Sequence, residues 1–184
     1  MPQPIVFSFV GGNTGRWRVE SASTIVGEPL KPVSRIDVHE QGKAPAGLVP
    51  VWELKGAISN TRYTKRAELV QLSARQETLG RQHATCAALI PIRKNSAWWD
   101  LAQDERRAIF EEASRHISIG MDYLPGVARR LHHSRELGEP FDFLTWFEFA
   151  PSDASAFSEM LHRLRATAEW EYVDRETELL LRMD

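Results

Sequence analysis

From Thr85 to Leu181 the apolar residues change spacing in an order that few folds accommodate: strand, helix, strand, strand, helix, strand. Thr85 to Lys94 alternates, with Cys86, Ala88, Ile90, Ile92 and Lys94 on one face. A helix from Asp104 carries Ile109, Ala113, His116 and Ile117 at i, i+4, i+7 and i+8, a buried stripe opposite Asp104, Arg107, Glu111 and Arg115. After the Leu124-Pro125-Gly126 break the period returns to two. Val127, Arg129, Leu131 and His133 share one face, and Ala128, Arg130 and His132 the other. Leu137-Gly138-Glu139-Pro140 supplies a turn, and Phe141, Phe143, Thr145, Phe147 and Phe149 fall together on the next strand. Pro151 and Ser152 open a helix with Phe157, Met160, Leu161 and Leu164 inward, and Tyr172 to Leu181 is the last strand. This is the ferredoxin-like βαββαβ unit, whose sheet carries both helices on one side. Its other face is aromatic and needs cover. A second, imperfect copy from residue 3 to about 84 is expected to provide it, although no sequence repeat marks one. The division is therefore 1–84 for a truncated N-terminal half and 85–184 for the C-terminal half, within one structural domain.

The N-terminal half is read more coarsely. Ile5 to Val10 and Trp17 to Glu20, separated by Gly11-Gly12-Asn13, read as a hairpin. His39 to Pro50 is a loop leading to a strand over Val51 to Ala57, and Asn60 or Thr61 caps a helix running to Leu79 with Gly80 as its stop. On that helix Leu69, Leu72, Gln76 and Leu79 share a stripe, so Gln76 points inward and requires a partner, either backbone or a neighbour such as Arg129. Ser96 caps a short turn holding Trp98 and Trp99, one of which must face inward and the other outward, towards an interface.

The charged and polar residues in apolar company are the candidates for function. Arg129 lies between apolar neighbours on its face, and a guanidinium there requires an anion, either an internal carboxylate or a bound one. His116 is either a satisfied core histidine or a ligand. Lys94 ends an apolar row and, from spacing alone, reads as a solvated strand terminus. Cys86 is a lone cysteine in an apolar run and reads as an inert core residue. His132 and His133 alternate faces and cannot bind one metal, which leaves surface or interface roles. A net charge of −2 excludes general nucleic-acid and membrane-surface binding, which need a basic field. Without a leader or a run of eighteen apolar residues, the chain is read as cytoplasmic. No CxxC, HExxH, phosphate loop or GxSxG is present.

The strings RHISIGMDYLPGVARRLHH, RQETLGRQHATCAALIPIRKNSAWW, FDFLTWFEFAP and RATAEWEYVDRE, in this order, resemble the chlorite dismutase family, specifically its short, dimeric branch. The resemblance implies two ferredoxin-like halves forming a dimeric α+β barrel, a homodimer, and haem b in the C-terminal half. It implies His116 as the axial ligand to the haem iron and Glu169 as the carboxylate accepting its other N–H. Lys94 and Trp98 correspond to residues beside that histidine, and Tyr63 to one near the propionates. Arg129 corresponds to the distal arginine thirteen residues on, with Gln76 holding it and Thr145 and Phe147 as pocket wall. The activity implied is conversion of the small anion chlorite to chloride and dioxygen at ferric haem, through a hypochlorite-like species. Two other readings share the fold: a coproheme decarboxylase, against which Arg129 weighs, and a non-enzymatic haem or tetrapyrrole binder.

Overall fold

The computed structural model describes residues 4–41, 43–58 and 64–184. Strands β1 (Val6–Gly12), β2 (Trp17–Val26), β3 (Arg35–Glu40), β4 (Pro50–Ile58), β5 (Cys86–Lys94), β6 (Ala128–His133), β7 (Phe143–Phe149) and β8 (Val173–Met183) form a closed antiparallel barrel. The order around it is β1-β3-β2-β8-β5-β7-β6-β4. Within it β8-β5-β7-β6 is the fourth, first, third and second strand of the βαββαβ unit, as expected from the spacing of apolar residues. The arc β4-β1-β3-β2 repeats that order with loops in place of helices. The barrel of two ferredoxin-like arrangements is thus the fold class the resemblance implied.

The pleat of β5 explains how two cores coexist. Cys86, Ala88, Ile90 and Ile92 pack outward with Phe147, Phe149 and the buried stripe Phe157, Met160, Leu161 and Leu164 of α5 (Ala154–Arg165). Ala87 and Leu89 point into the barrel, which Phe9, Trp17, Ile36, Leu54, Leu144, Trp146, Leu179 and Leu181 fill. Each of the buried leucines and phenylalanines contributes about 1.5–3 kcal/mol relative to exposure. Arg81 fastens the break before β6, donating to the carbonyls of Pro125 (3.1 Å), Gly126 (2.9 Å) and Glu148 (3.3 Å).

Several expectations are corrected. β1 and β2 are not a hairpin: β3 lies between them and pairs with both. The chain turns past Gly15, whose φ of +133° suits glycine and whose Cβ position is closed off by the Ile36 backbone. Helix α1 (Arg66–Arg75) starts after Lys65, whose N–H donates to Glu68 Oε2 (2.7 Å), and it stops before Gln76. Asn60 and Thr61 lie outside the described residues. Asn95, not Ser96, caps α2 (Ser96–Asp100), accepting from the Trp98 N–H at 3.1 Å. Phe141 precedes β7 and turns into the barrel core instead of joining Phe147 and Phe149. His132 and His133 are buried, not at the surface.

The largest departure concerns the helix that was to end in His116. Helix α3 (Gln103–Arg107) widens into a π-helix (Ala108–Ala113), and Arg115 adopts a left-handed conformation at φ 54°. Helix α4 (His116–Met121) starts afresh with His116 as its first residue, and Ala113 is exposed. The restart is possible because Glu111 reaches forward to accept the N–H groups of Ile117 (2.6 Å) and Ser118 (3.3 Å), which a helix N-terminus otherwise leaves unpaired.

Candidate cofactor cavity

Beneath the helices two adjoining cavities, of about 130 and 280 Å³, share His116, Phe110, Ile92, Leu131, Thr145 and Trp170 in their walls. Together they reach the range of clefts that hold cofactors, roughly 300 to 1,000 Å³. Lys94, Trp98 and Glu169 border the smaller, and Gln76, Arg129 and Phe147 the larger. The structure therefore gathers every described candidate residue around one space. Tyr63 lies outside the described residues.

His116 is oriented on three sides. Its ring stacks between Phe110 (centroids 4.5 Å apart) and Trp170 (6.2 Å). Its Nδ1 lies 2.6 Å from Glu169 Oε2. Since an ionised carboxylate can accept but not donate, the proton resides on Nδ1 and Nε2 is left at the cavity. Glu169, 4% exposed, sits in a short 3₁₀ turn fixed by its own N–H donating to Ser114 Oγ (2.9 Å). Lys94 Nζ donates to Glu169 Oε1 at 2.8 Å and stands 4.4 Å from the centroid of the Trp98 ring. Lys94 is thus a buried charge and not a solvated strand end, being 5% exposed. Burial alone would raise the Glu169 carboxyl; the neighbouring His116 ring and the Lys94 ammonium outweigh it and bring it down to about 2. Burial pushes the Lys94 ammonium down against the opposing pull of Glu169.

Arg129 reaches the cavity from β6 without any ion pair or side-chain hydrogen bond to the described residues. Burial, with nothing anionic to offset it, lowers its guanidinium to about 10, so it stays cationic at neutral pH. The internal carboxylate admitted by the sequence is absent among the described residues. The guanidinium rests on Gly120, one turn after His116 on α4, where any Cβ would collide with it. Gln76 holds this region differently from the expectation: its Nε2 donates to the Arg129 backbone carbonyl at 2.6 Å, securing the strand and not the guanidinium. Thr145 and Phe147 wall the larger cavity beside it.

Phe110, Ser114, Gly120 and Trp170 complete the site and were not singled out from sequence. Trp170 follows Glu169 directly, and its Nε1 donates to the buried Glu176 (2.7 Å), which also pairs with Arg165 (2.6 Å). Gly120 stands four residues after His116, a spacing that puts both on one helix face.

A closed barrel of ferredoxin-like arcs, with a carboxylate-bound histidine and, among the described residues, an unpaired guanidinium bordering one apolar cavity, defines the class: a ferredoxin-like α+β barrel. The chlorite dismutase family model matches residues 41–182, and the chain belongs to that family. A chlorite dismutase from Ideonella dechloratans is 34% identical over 86 residues, 47% of this chain, and that matched stretch spans 28% of the relative's length. The crystal structure of a dimeric chlorite dismutase from Nitrobacter winogradskyi aligns with a TM-score of 0.89 at 48% identity, covering 97% of this chain and 99% of that one. A mutant chlorite dismutase from Candidatus Nitrospira defluvii, 19% identical with a TM-score of 0.71 over 100% of this chain and 92% of that one, shares the fold. No helix of the described residues is long and apolar enough to cross a membrane.

Proposed function

We propose that the protein is a haem b enzyme that converts chlorite to chloride and dioxygen, with one haem per chain and two chains per molecule. The observation that carries this is the pairing, around one cavity, of a histidine presenting Nε2 and an arginine without an anion among the described residues. The residues fit such a group: among the described residues nothing engages Nε2, and the walls are largely apolar and aromatic. Haem iron, when bound, would supply the oxygen-atom acceptor and lend electrons that it recovers within the same turnover, so that the conversion is redox-neutral.

The protein's own part follows from the geometry. Glu169 holds the Nδ1 proton and sets the ring's tautomer, which makes the imidazole a stronger donor. Lys94 keeps Glu169 ionised. Arg129 attracts the chlorite anion and retains the chlorine-bearing anion until the oxygen atoms are joined; chloride and dioxygen then leave. A guanidinium suits this because it holds an anion without giving up a proton at neutral pH. A carrier would have no use for that cation, which favours the enzyme over a haem-binding protein. The dimer rests on the Nitrobacter winogradskyi relative, described as dimeric.

The test is to titrate the protein with haem, then add chlorite in an oxygen electrode. One equivalent bound, followed by oxygen release, is expected; haem binding lost in His116→Ala supports the ligand. Stoichiometric haem without oxygen release would leave a binder and overturn the enzyme reading.

A further inference from the structure

We infer a second ligand site, inside the end of the barrel, for a small carboxylate with an aromatic or apolar body. A cavity of about 260 Å³ lies there, walled by Phe7, Trp17, Leu79 and Trp146 and bordered by Arg130 and Arg16. Arg130 follows Arg129 on β6, so the pleat sends it to the opposite face. Its guanidinium lies over Phe7, 3.9 Å from the ring centroid, and its Nε donates to His132 Nε2 at 3.0 Å. The two Nη groups form no hydrogen bond or ion pair with the described residues.

The stacked face and the engaged Nε leave one edge of the guanidinium open, the edge carrying both Nη groups. That edge matches a carboxylate, which accepts two parallel bonds from it. These four N–H donors open on the cavity without a protein partner among the described residues, and a carboxylate there would accept from them. Of the two carboxylates on the wall, Glu148 lies close enough for its charge to oppose the lowering of Arg130 by burial, but neither it nor Asp37 forms a hydrogen bond or ion pair with the Nη groups. Glu148 accepts from Trp146 Nε1 (2.9 Å) and the Gly80 N–H (2.5 Å). Asp37 faces His39 Nδ1 (3.3 Å) and the Arg16 N–H (3.4 Å). Arg16, exposed at the rim with Met183 Sδ 3.4 Å from its Nη2, adds a second positive charge at the entrance. The aromatic walls call for a ligand with a body as well as a charge, which separates a carboxylate such as benzoate from a bare halide.

Calorimetric titration of the full chain with benzoate, and separately with chloride, tests this. Saturable benzoate binding is expected, weakened at least tenfold in Arg130→Met, weakened less in Arg130→Lys, which keeps charge but loses the fork, and unchanged in Arg129→Met. No saturable heat, equal binding of chloride, or binding lost in Arg129→Met and kept in Arg130→Met would each overturn the site. Should Arg130→Met melt as an unfolded chain, Leu79→Trp fills the cavity with Arg130 intact. Loss of benzoate binding there supports the proposal, and retained binding rejects it.

Discussion

Arg129 carries its charge into a shielded space with no described residue of opposite sign against it, so its removal should not strand a carboxylate. Arg129→Ala is therefore expected to leave the thermal melt unchanged or slightly raised, where breaking a buried ion pair would cost roughly 3 to 5 kcal/mol. Oxygen evolution should fall by about 10² to 10³, the usual effect of losing one preorganised electrostatic group. A large loss of stability with normal oxygen yield would make the arginine structural. His132 is perturbed in another way. Its Nδ1 donates to the Leu144 carbonyl (3.0 Å) and its Nε2 accepts from Arg130, so the ring is neutral, and burial holds it down to about 4. The unfolded chain protonates this ring from about pH 6.5 while the folded one refuses the proton until about pH 4. Stability present above pH 6.5 is thus lost as pH falls through that window, by roughly 3 kcal/mol from this residue. Urea unfolding at pH 7, 5.5 and 4 should show a shallower decline in His132→Gln, which keeps a donor and an acceptor but does not titrate; identical slopes would exclude the residue. At this scale the sequence made Arg129, His116 and Lys94 conspicuous as polar residues on apolar faces. Their spacing alone could not choose their partners: Glu169 came only through the resemblance, and Gly120 meets Arg129 only through the folded chain. Gln76 does face the cavity although it lies just past the end of α1; what the sequence could not choose was its partner, the Arg129 carbonyl and not the guanidinium.

Among elements, the segment from α3 to α4 depends on a single residue at positive φ. An L-residue in the left-handed region costs about 1–2 kcal/mol and β-branching worsens it. Arg115 makes one side-chain contact of note, Nη2 to Ser118 Oγ at 3.3 Å, so little else is lost on replacing it. Arg115→Gly is expected to melt within about 1 kcal/mol of the parent or above it, and Arg115→Val to lose roughly 1–2 kcal/mol. Equal melts for the two would remove the strain argument. This element was the least legible in the sequence: Ile109, Ala113, His116 and Ile117 keep helical spacing across a π-helix and a break, since periodicity reports which residues alternate and not whether the ladder is continuous. The strands after Thr85 were legible because β5 is a short continuous apolar run, while β6 and β7 are set off by Leu124-Pro125-Gly126 and Leu137-Gly138-Glu139-Pro140. The β1–β2 hairpin was misread because Gly11 and Gly12, taken for a turn, lie within β1 and pair with β3 and β4.

For the whole molecule, the proposed dimer sets an expectation of twice the 21.0 kDa chain mass by light scattering at micromolar concentration; a mass of one chain would overturn it. The barrel itself is unevenly joined. β2 pairs along its length with β8, from Trp17 opposite Met183 to Val26 opposite Glu176. It meets β3 through Trp17–Ile36 and Arg18–Arg35, and β4 meets β6 through Ala57–His133 and Ile58–His132 among the described residues. The barrel is therefore two leaves, β2-β8-β5-β7-β6 and β4-β1-β3, stitched along two short seams. His116, Arg129 and Glu169 all belong to the larger leaf or to the segments packed on it. Prising open either seam would lift the smaller leaf like the cover of a book and bare Phe9, Ile36 and Leu54, while the page that carries the chemistry stays bound.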